Sequence, residues 1–274
     1  MHNYLLAKVR VFLIIMVYCD KELCFIVNFA GMKITKELLE RSYRETFSVE
    51  RFLEVDPCGI VYELTGHTEK QLDIELGALF VAMISWGNRK AIRGAARRML
   101  GDEMGWRPGE FVMSGAYRDS YLRARNNCVY RTLNRDMFIE VCANIQRALA
   151  SSGCSTLEEY FAGRRIEEII GELAVWLKPA RLGSFGTSAC KRICMYLRWM
   201  IRREQPDLGL WRSHSQSGLY AVMDVHVCRL TEELTGMHQA SWKSCCRLTE
   251  IFRGWDAADP LKYDVALMTV ADNG

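Results

Sequence analysis

An all-α protein of about ten helices is predicted by three observations on this chain. Apolar residues recur with the helical period in several places, no stretch sustains the alternation of a strand, and Pro, Gly and Ser breaks divide the chain into helix-length segments. With 274 residues, 50% hydrophobic and 25% charged, the chain can bury a substantial core without disulfides or metals.

The elements follow in order. Residues 11–19 (VFLIIMVYC) are apolar, but a bilayer span needs about 20 residues. Lys8 and Arg10 before them give a signal-like pattern, against which the many cysteines weigh. A helix with Thr35 as N-cap and Glu37 in its first turn follows Met32, so translation is expected to begin there. Residues 1–31 are expected to be a mis-called or disordered extension, and residues 32–274 one all-α domain, in one lobe or two packed lobes. Leu72, Leu76, Leu79, Phe80 and Met83 form an apolar stripe. Phe138, Val141, Cys142, Ile145 and Leu149 form a second, and Ile166, Ile169, Ile170, Leu173 with Trp176 or Leu177 a third. Residues 101–134, rich in Arg, Tyr, Asn and Gly, read as a long surface connection. Breaks fall at Asp56-Pro57, Arg107-Pro108-Gly109, Ser151-Ser152-Gly153, residues 179–186, residues 206–218 and Asp259-Pro260.

The stretch from Gly186 to Arg229 carries the chemistry. Ile193, Tyr196, Leu197, Met200 and Ile201 make one helical face. Lys191, Arg198 and Arg202 fall within about 40° of each other on another. A lysine among fixed cations, followed by a loop that delivers Asp224, suits a nucleophilic amine whose charged form is disfavoured. Asp224 also precedes the stripe Val227, Leu230, Leu234 and reads as its N-cap. His226 reads first as a packed histidine, since no second ligand lies at metal spacing.

Net charge is only +3, but the basic residues are uneven. Arg89, Lys90, Arg93, Arg97 and Arg98 form one acid-free run; Lys191, Arg192, Arg198, Arg202 and Arg203 form another. Either alone is ordinarily a solvated helix face; two together point to an anionic ligand. The 11 cysteines include no Cys-x2-Cys pair, so no zinc or iron–sulfur site is expected, and a reducing cytoplasm fits them.

Four ordered motifs carry a resemblance. They are Lys191-Arg192 with Leu197-Arg198-Trp199-Met200-x-Arg202, Asp207-x-Gly209-x-Trp211, Asp224-x-His226-Val227, and Asp259-Pro260-x-Lys262-Tyr263-Asp264. From Met32 to the C-terminus the chain resembles a bacterial family known only as a domain of unknown function. It departs at Ala221-Val222-Met223, where the family has something nearer Ile-Pro-Leu. That family is remotely similar to the helix–hairpin–helix DNA glycosylases, nearest the archaeal branch that excises 8-oxoguanine. The resemblance implies a glycosylase-like fold and base-excision repair of an oxidised base, with abasic-site lyase activity through a lysine Schiff base. Lys191 would be the nucleophile and Asp224 its acid–base partner. The hairpin Leu182-Gly183-Ser184-Phe185-Gly186 keeps two glycines, spaced more widely than the usual pattern.

On that reading Gly183, Gly186, Arg192, Arg198, Arg202, Arg89 and Arg93 would meet DNA phosphates, and Trp86, Trp199, Trp211 and His226 would be candidates for the base pocket. The implied partner is duplex DNA containing a lesion, bound by a cytoplasmic monomer without cofactor, metal or membrane. Two rivals keep their place: a nucleic-acid-binding protein of the same fold without catalysis, and a structural or interaction protein. A catalytic lysine should stand in a cavity facing Asp224, whereas a scaffold lysine should point to open solvent.

Overall fold

The computed structural model describes residues 15–19, 22–26, 33–120 and 127–273. Among them are fifteen helices: α1 (Lys36–Glu45), α2 (Val49–Val55), α3 (Cys58–Thr65), α4 (Gln71–Ile84), α5 (Arg89–Arg97), α6 (Pro108–Met113), α7 (Tyr117–Ser120), α8 (Arg135–Ser152), α9 (Leu157–Phe161), α10 (Ile166–Trp176), α11 (Lys191–Ile201), α12 (Val225–Leu230), α13 (Glu232–Thr235), α14 (Trp242–Trp255) and α15 (Lys262–Asn273). The fold is all-α, with more helices than the sequence predicts because several are one or two turns long. The connection expected over 101–134 contains two of these, α6, with Pro108 in its first turn, and α7.

The expectation of no strands is corrected twice. Ile15–Cys19 (β1) pairs antiparallel with Glu22–Ile26 (β2), inside the stretch expected to lie outside the fold. Cys128–Tyr130 (β3) pairs with Leu133–Asn134 (β4). Strands of two to five residues are too short for alternation to register. The other residues of 1–31 lie outside the described residues.

The helix starts follow local chemistry. Thr35, Ser48, Asn88, Asn134, Thr156, Asp224 and Ser241 each cap a helix through a side-chain oxygen. Buried hydrophobic residues form one continuous core from Ile34 to Leu267. At its centre α4 is buried on every side from Asp73 to Ile84, and it packs against α3, α6 and α11. Its two acids are both used. Asp73 accepts the Gly109 N–H at 2.7 Å at the start of α6. Glu75 accepts the Leu157 and Glu158 N–H groups at 2.7 and 2.9 Å at the start of α9. Each carboxylate therefore satisfies donors that a helix N-terminus leaves open.

Helix α11 is likewise buried almost all round, Ile193 to Ile201 without interruption. The two-faced helix read from its apolar spacing is corrected, because Arg198 and Arg202 on its cationic face look into the protein and only Lys191 at its start is open. Among the described residues no helix is long and apolar enough to cross a membrane.

Candidate active site

Two helix starts meet at one cleft. Lys191 is the first residue of α11, and Asp224 is the N-cap of α12. Lys191 Nζ donates to Asp224 Oδ2 at 2.7 Å, while Asp224 Oδ1 accepts the Val227 N–H at 2.8 Å. Capping thus holds the carboxylate in one orientation and leaves its second oxygen for the amine. Burial works to raise the Asp224 carboxyl, but the charge and hydrogen bond of Lys191 and the Val227 N–H outweigh it and keep it below the ordinary aspartate value.

The cleft has a volume of about 340 Å³. Lys191, Asp224, Trp86, His226 and Arg89 line it, with Asp56, Asp264 and Arg198 and the apolar Met195, Val227, Leu230, Leu267 and Met268. The Lys191 side chain is 38% exposed and that of Asp224 28%, so the pair is open to a ligand.

Before α11 the chain turns through the glycine hairpin. Gly183 and Gly186 have φ of +93° and +88°, where glycine is favoured. At Gly183 a Cβ would also meet Ser188 Oγ at 2.4 Å. The hairpin is tied to α14, because the Trp242 N–H donates to Thr187 O at 3.2 Å and Phe185 meets the Trp242 ring edge-on at 4.8 Å. Phe185 at its tip remains 37% exposed.

Behind the pair lies a network that the sequence did not reveal. Arg198 donates to Asp207 at 3.1 Å and to Asp264 at 2.6 Å. Arg202 donates to Asp207 at 3.1 Å and to both oxygens of Asp259 at 2.9 and 2.8 Å. Two arginines and three aspartates are therefore paired with one another inside the protein. Asp264 does a second job, since its other oxygen accepts the Val222 N–H at 2.8 Å, two residues before Asp224. This is how the Ala221-Val222-Met223 departure is accommodated: the turn is held through backbone. Burial pushes the Asp264 carboxyl up despite the Arg198 charge and these hydrogen bonds.

Several assignments are corrected by this geometry. Arg198 and Arg202 are at most 1% exposed and saturated by carboxylates, so neither can meet a phosphate or act as an uncompensated cation beside Lys191. Arg192 donates to the carbonyls of Met83, at 2.8 Å near the end of α4, and Arg181, at 3.5 Å, and desolvation brings it down to about 10. Arg93 donates to the carbonyls of Leu53 and Asp56 at 2.9 and 2.6 Å, around the end of α2. Both thus cap helix C-termini, a structural role the sequence reading did not give them. Trp199 is fully buried in the core, and buried Trp211 donates to Glu75 at 2.8 Å, which removes both from the base-pocket candidates. Trp86 and His226 line the cleft.

The sequence reading passed over Asp56, Ser85, Met195 and Met268 as lining residues. Asp56 carried a signal as a helix break, yet only its fold position brings it to the cleft, where it accepts the Cys58 N–H at 2.9 Å and burial raises it. Among the described residues no group of three His, Cys, Asp or Glu could hold a metal ion.

No curated protein and no solved structure matches the chain. Residues 56–272, which hold the whole cleft, match the family described as Protein of unknown function (DUF2400), and the chain belongs to that family.

Proposed function

We propose that this protein is a DNA glycosylase with abasic-site lyase activity, of the helix–hairpin–helix type, acting on an oxidised base of the 8-oxoguanine class. The observation that carries the reading is the 2.7 Å pair of Lys191 and Asp224, open to a cleft with an aromatic wall. The order helix α10, glycine hairpin, helix α11 supports the fold assignment, and positive φ at Gly183 and Gly186 suits a turn whose backbone approaches a phosphate.

The chemistry follows from the pair. Lys191 rests as an ammonium against the Asp224 carboxylate, and its proton must leave before it can attack. Asp224 Oδ2 is placed to take it. The amine then bonds to C1′ of the damaged nucleotide as the glycosidic bond breaks and the base leaves with its electron pair, taking up the proton that Asp224 gives back as it returns to a carboxylate. Opening of the sugar gives the Schiff base, and loss of a C2′ proton expels the 3′ phosphate. Asp224 as a carboxylate also steadies positive charge on the sugar in the transition state. The damaged base has to leave the stack to reach the cleft, where Trp86 offers a ring face. Backbone N–H groups of the hairpin take the phosphate role first given to the arginines of α11.

Borohydride trapping on duplexes carrying 8-oxoguanine, uracil or an abasic site tests this directly. A covalent adduct on one lesion, absent in Lys191→Ala, is the expected result. Tight lesion binding without adduct or base release would instead make the protein a lesion-binding module of the same fold. Absence of both binding and chemistry would overturn the nucleic-acid reading altogether.

A further inference from the structure

The β3–β4 hairpin packs against Trp86. The Arg131 guanidinium lies over the Trp86 ring with its carbon 4.3 Å from the centroid. Tyr130 meets the same ring edge-on at 6.3 Å and donates its hydroxyl to Trp86 O at 3.1 Å. Arg131 also rests against Gly87, where a Cβ would meet its Nη1 at 2.3 Å. Ring, backbone and following residue are thus all held by two neighbouring side chains of one short hairpin.

Arg131 sits in the two-residue connection between Tyr130 and Leu133, with φ of +52°. Asn and Gly take that conformation with less strain, and a long side chain kept there points to use of the side chain itself. A guanidinium laid flat on an indole gains from the ring's negative face and fixes its tilt. Trp86 also lines the cleft that holds Lys191 and Asp224, of which Arg131 is not a lining residue.

We infer that Arg131 is a positioning residue that locks the Trp86 indole as a stacking wall for the base, an inference that rests on the glycosylase reading for the identity of the ligand. Arg131 acts through Trp86, so it matters for reactions that need a base in the cleft and not for those that do not. Excision of a base needs the wall; cleavage at a preformed abasic site needs only Lys191, Asp224 and the sugar.

Arg131→Gln and Arg131→Lys separate these steps. Excision of 8-oxoguanine from duplex DNA should fall about tenfold in Arg131→Gln, with partial recovery in Arg131→Lys, while cleavage at a preformed abasic site stays within about twofold. Equal loss of both activities would mark Arg131 as a phosphate contact or a general structural residue and overturn the inference, as would no loss in either. A second readout needs no DNA. With fluorotryptophan incorporated and Trp86 assigned through Trp86→Phe, Arg131→Gln should shift and broaden the Trp86 resonance while the other six tryptophans hold. If the wild-type protein has neither activity, the glycosylase reading fails alone; a moved Trp86 signal then upholds the positioning role, and an unmoved one overturns it.

Discussion

Asp264 holds Val222 by its backbone: Oδ1 accepts the Val222 N–H at 2.8 Å, while Oδ2 takes Arg198 at 2.6 Å. The turn that presents Asp224 is therefore anchored to the helix that presents Lys191. Catalytic distance, on the reading proposed above, is set from the interior outward.

Asp264→Asn should consequently cost both stability and activity. Arg198 keeps Asp207 but loses the shorter of its two carboxylate bonds, a loss of about 1 kcal/mol that urea unfolding would read as a lower midpoint. Adduct formation should slow even at temperatures where the variant is fully folded, because the Asp224 turn loosens. Full stability in Asp264→Asn would contradict the network.

Asp224→Asn separates capping from chemistry. Asparagine caps helices as well as aspartate does, so stability should change by less than about 1 kcal/mol. Trapping should nevertheless fall at least about a hundredfold, since an amide cannot take the lysine proton. Parallel denaturation and trapping on the same preparation check the split.

The same residue predicts an acid dependence. Its folded value lies below 3.8, its ordinary value, so the unfolded chain binds the proton more tightly. The stabilisation is complete above the unfolded value and is lost as pH falls through the folded one. Wild type should therefore lead Asp224→Asn in unfolding midpoint at about pH 6 and lose that lead progressively as pH falls below the ordinary aspartate value of 3.8. Asp264 and Glu75 work the other way: burial raises both, so their contribution declines as pH rises through their folded values.

Arg93→Gln and Arg192→Gln test the capping roles. Each should lower stability by about 1–3 kcal/mol, because carbonyls at a helix end lose a charged donor. Neither should change the slope of DNA affinity against salt, which falls by about one for each phosphate contact removed. A shallower slope in either would assign it a phosphate contact.

Much of the fold could be read from sequence wherever a stripe was long. The residues of α8 and α10 predicted inward are buried as read. Short elements escaped where they carried no period, as in α9; α12 was legible through Asp224 as its cap, but the helix read on to Leu234 is broken at Thr231 into α12 and α13. At the site, Lys191 and Asp224 were singled out by residue type and order, and they meet at 2.7 Å. The arginines were misread for one physical reason. Periodicity places Arg198 and Arg202 on one face but cannot say whether that face meets water or buried acids. Two of those acids, Asp259 and Asp264, come from 57 and 66 residues further along the chain. The same blindness hid Arg131, whose meaning depends on a tryptophan 45 positions earlier.

Helix α4 has a consequence for how the molecule opens. With six and five residues, α6 and α9 lie far below the length at which a helix persists alone in water. Their first turns hang on Asp73 and Glu75, two residues apart on α4 though far from those helices in sequence. When α4 frays, both lose their anchors together. Residues 71–84, 108–113 and 157–161 should thus exchange their amide hydrogens as one cooperative unit, and a proteolytic cut exposed in one should appear alongside exposure of the other two.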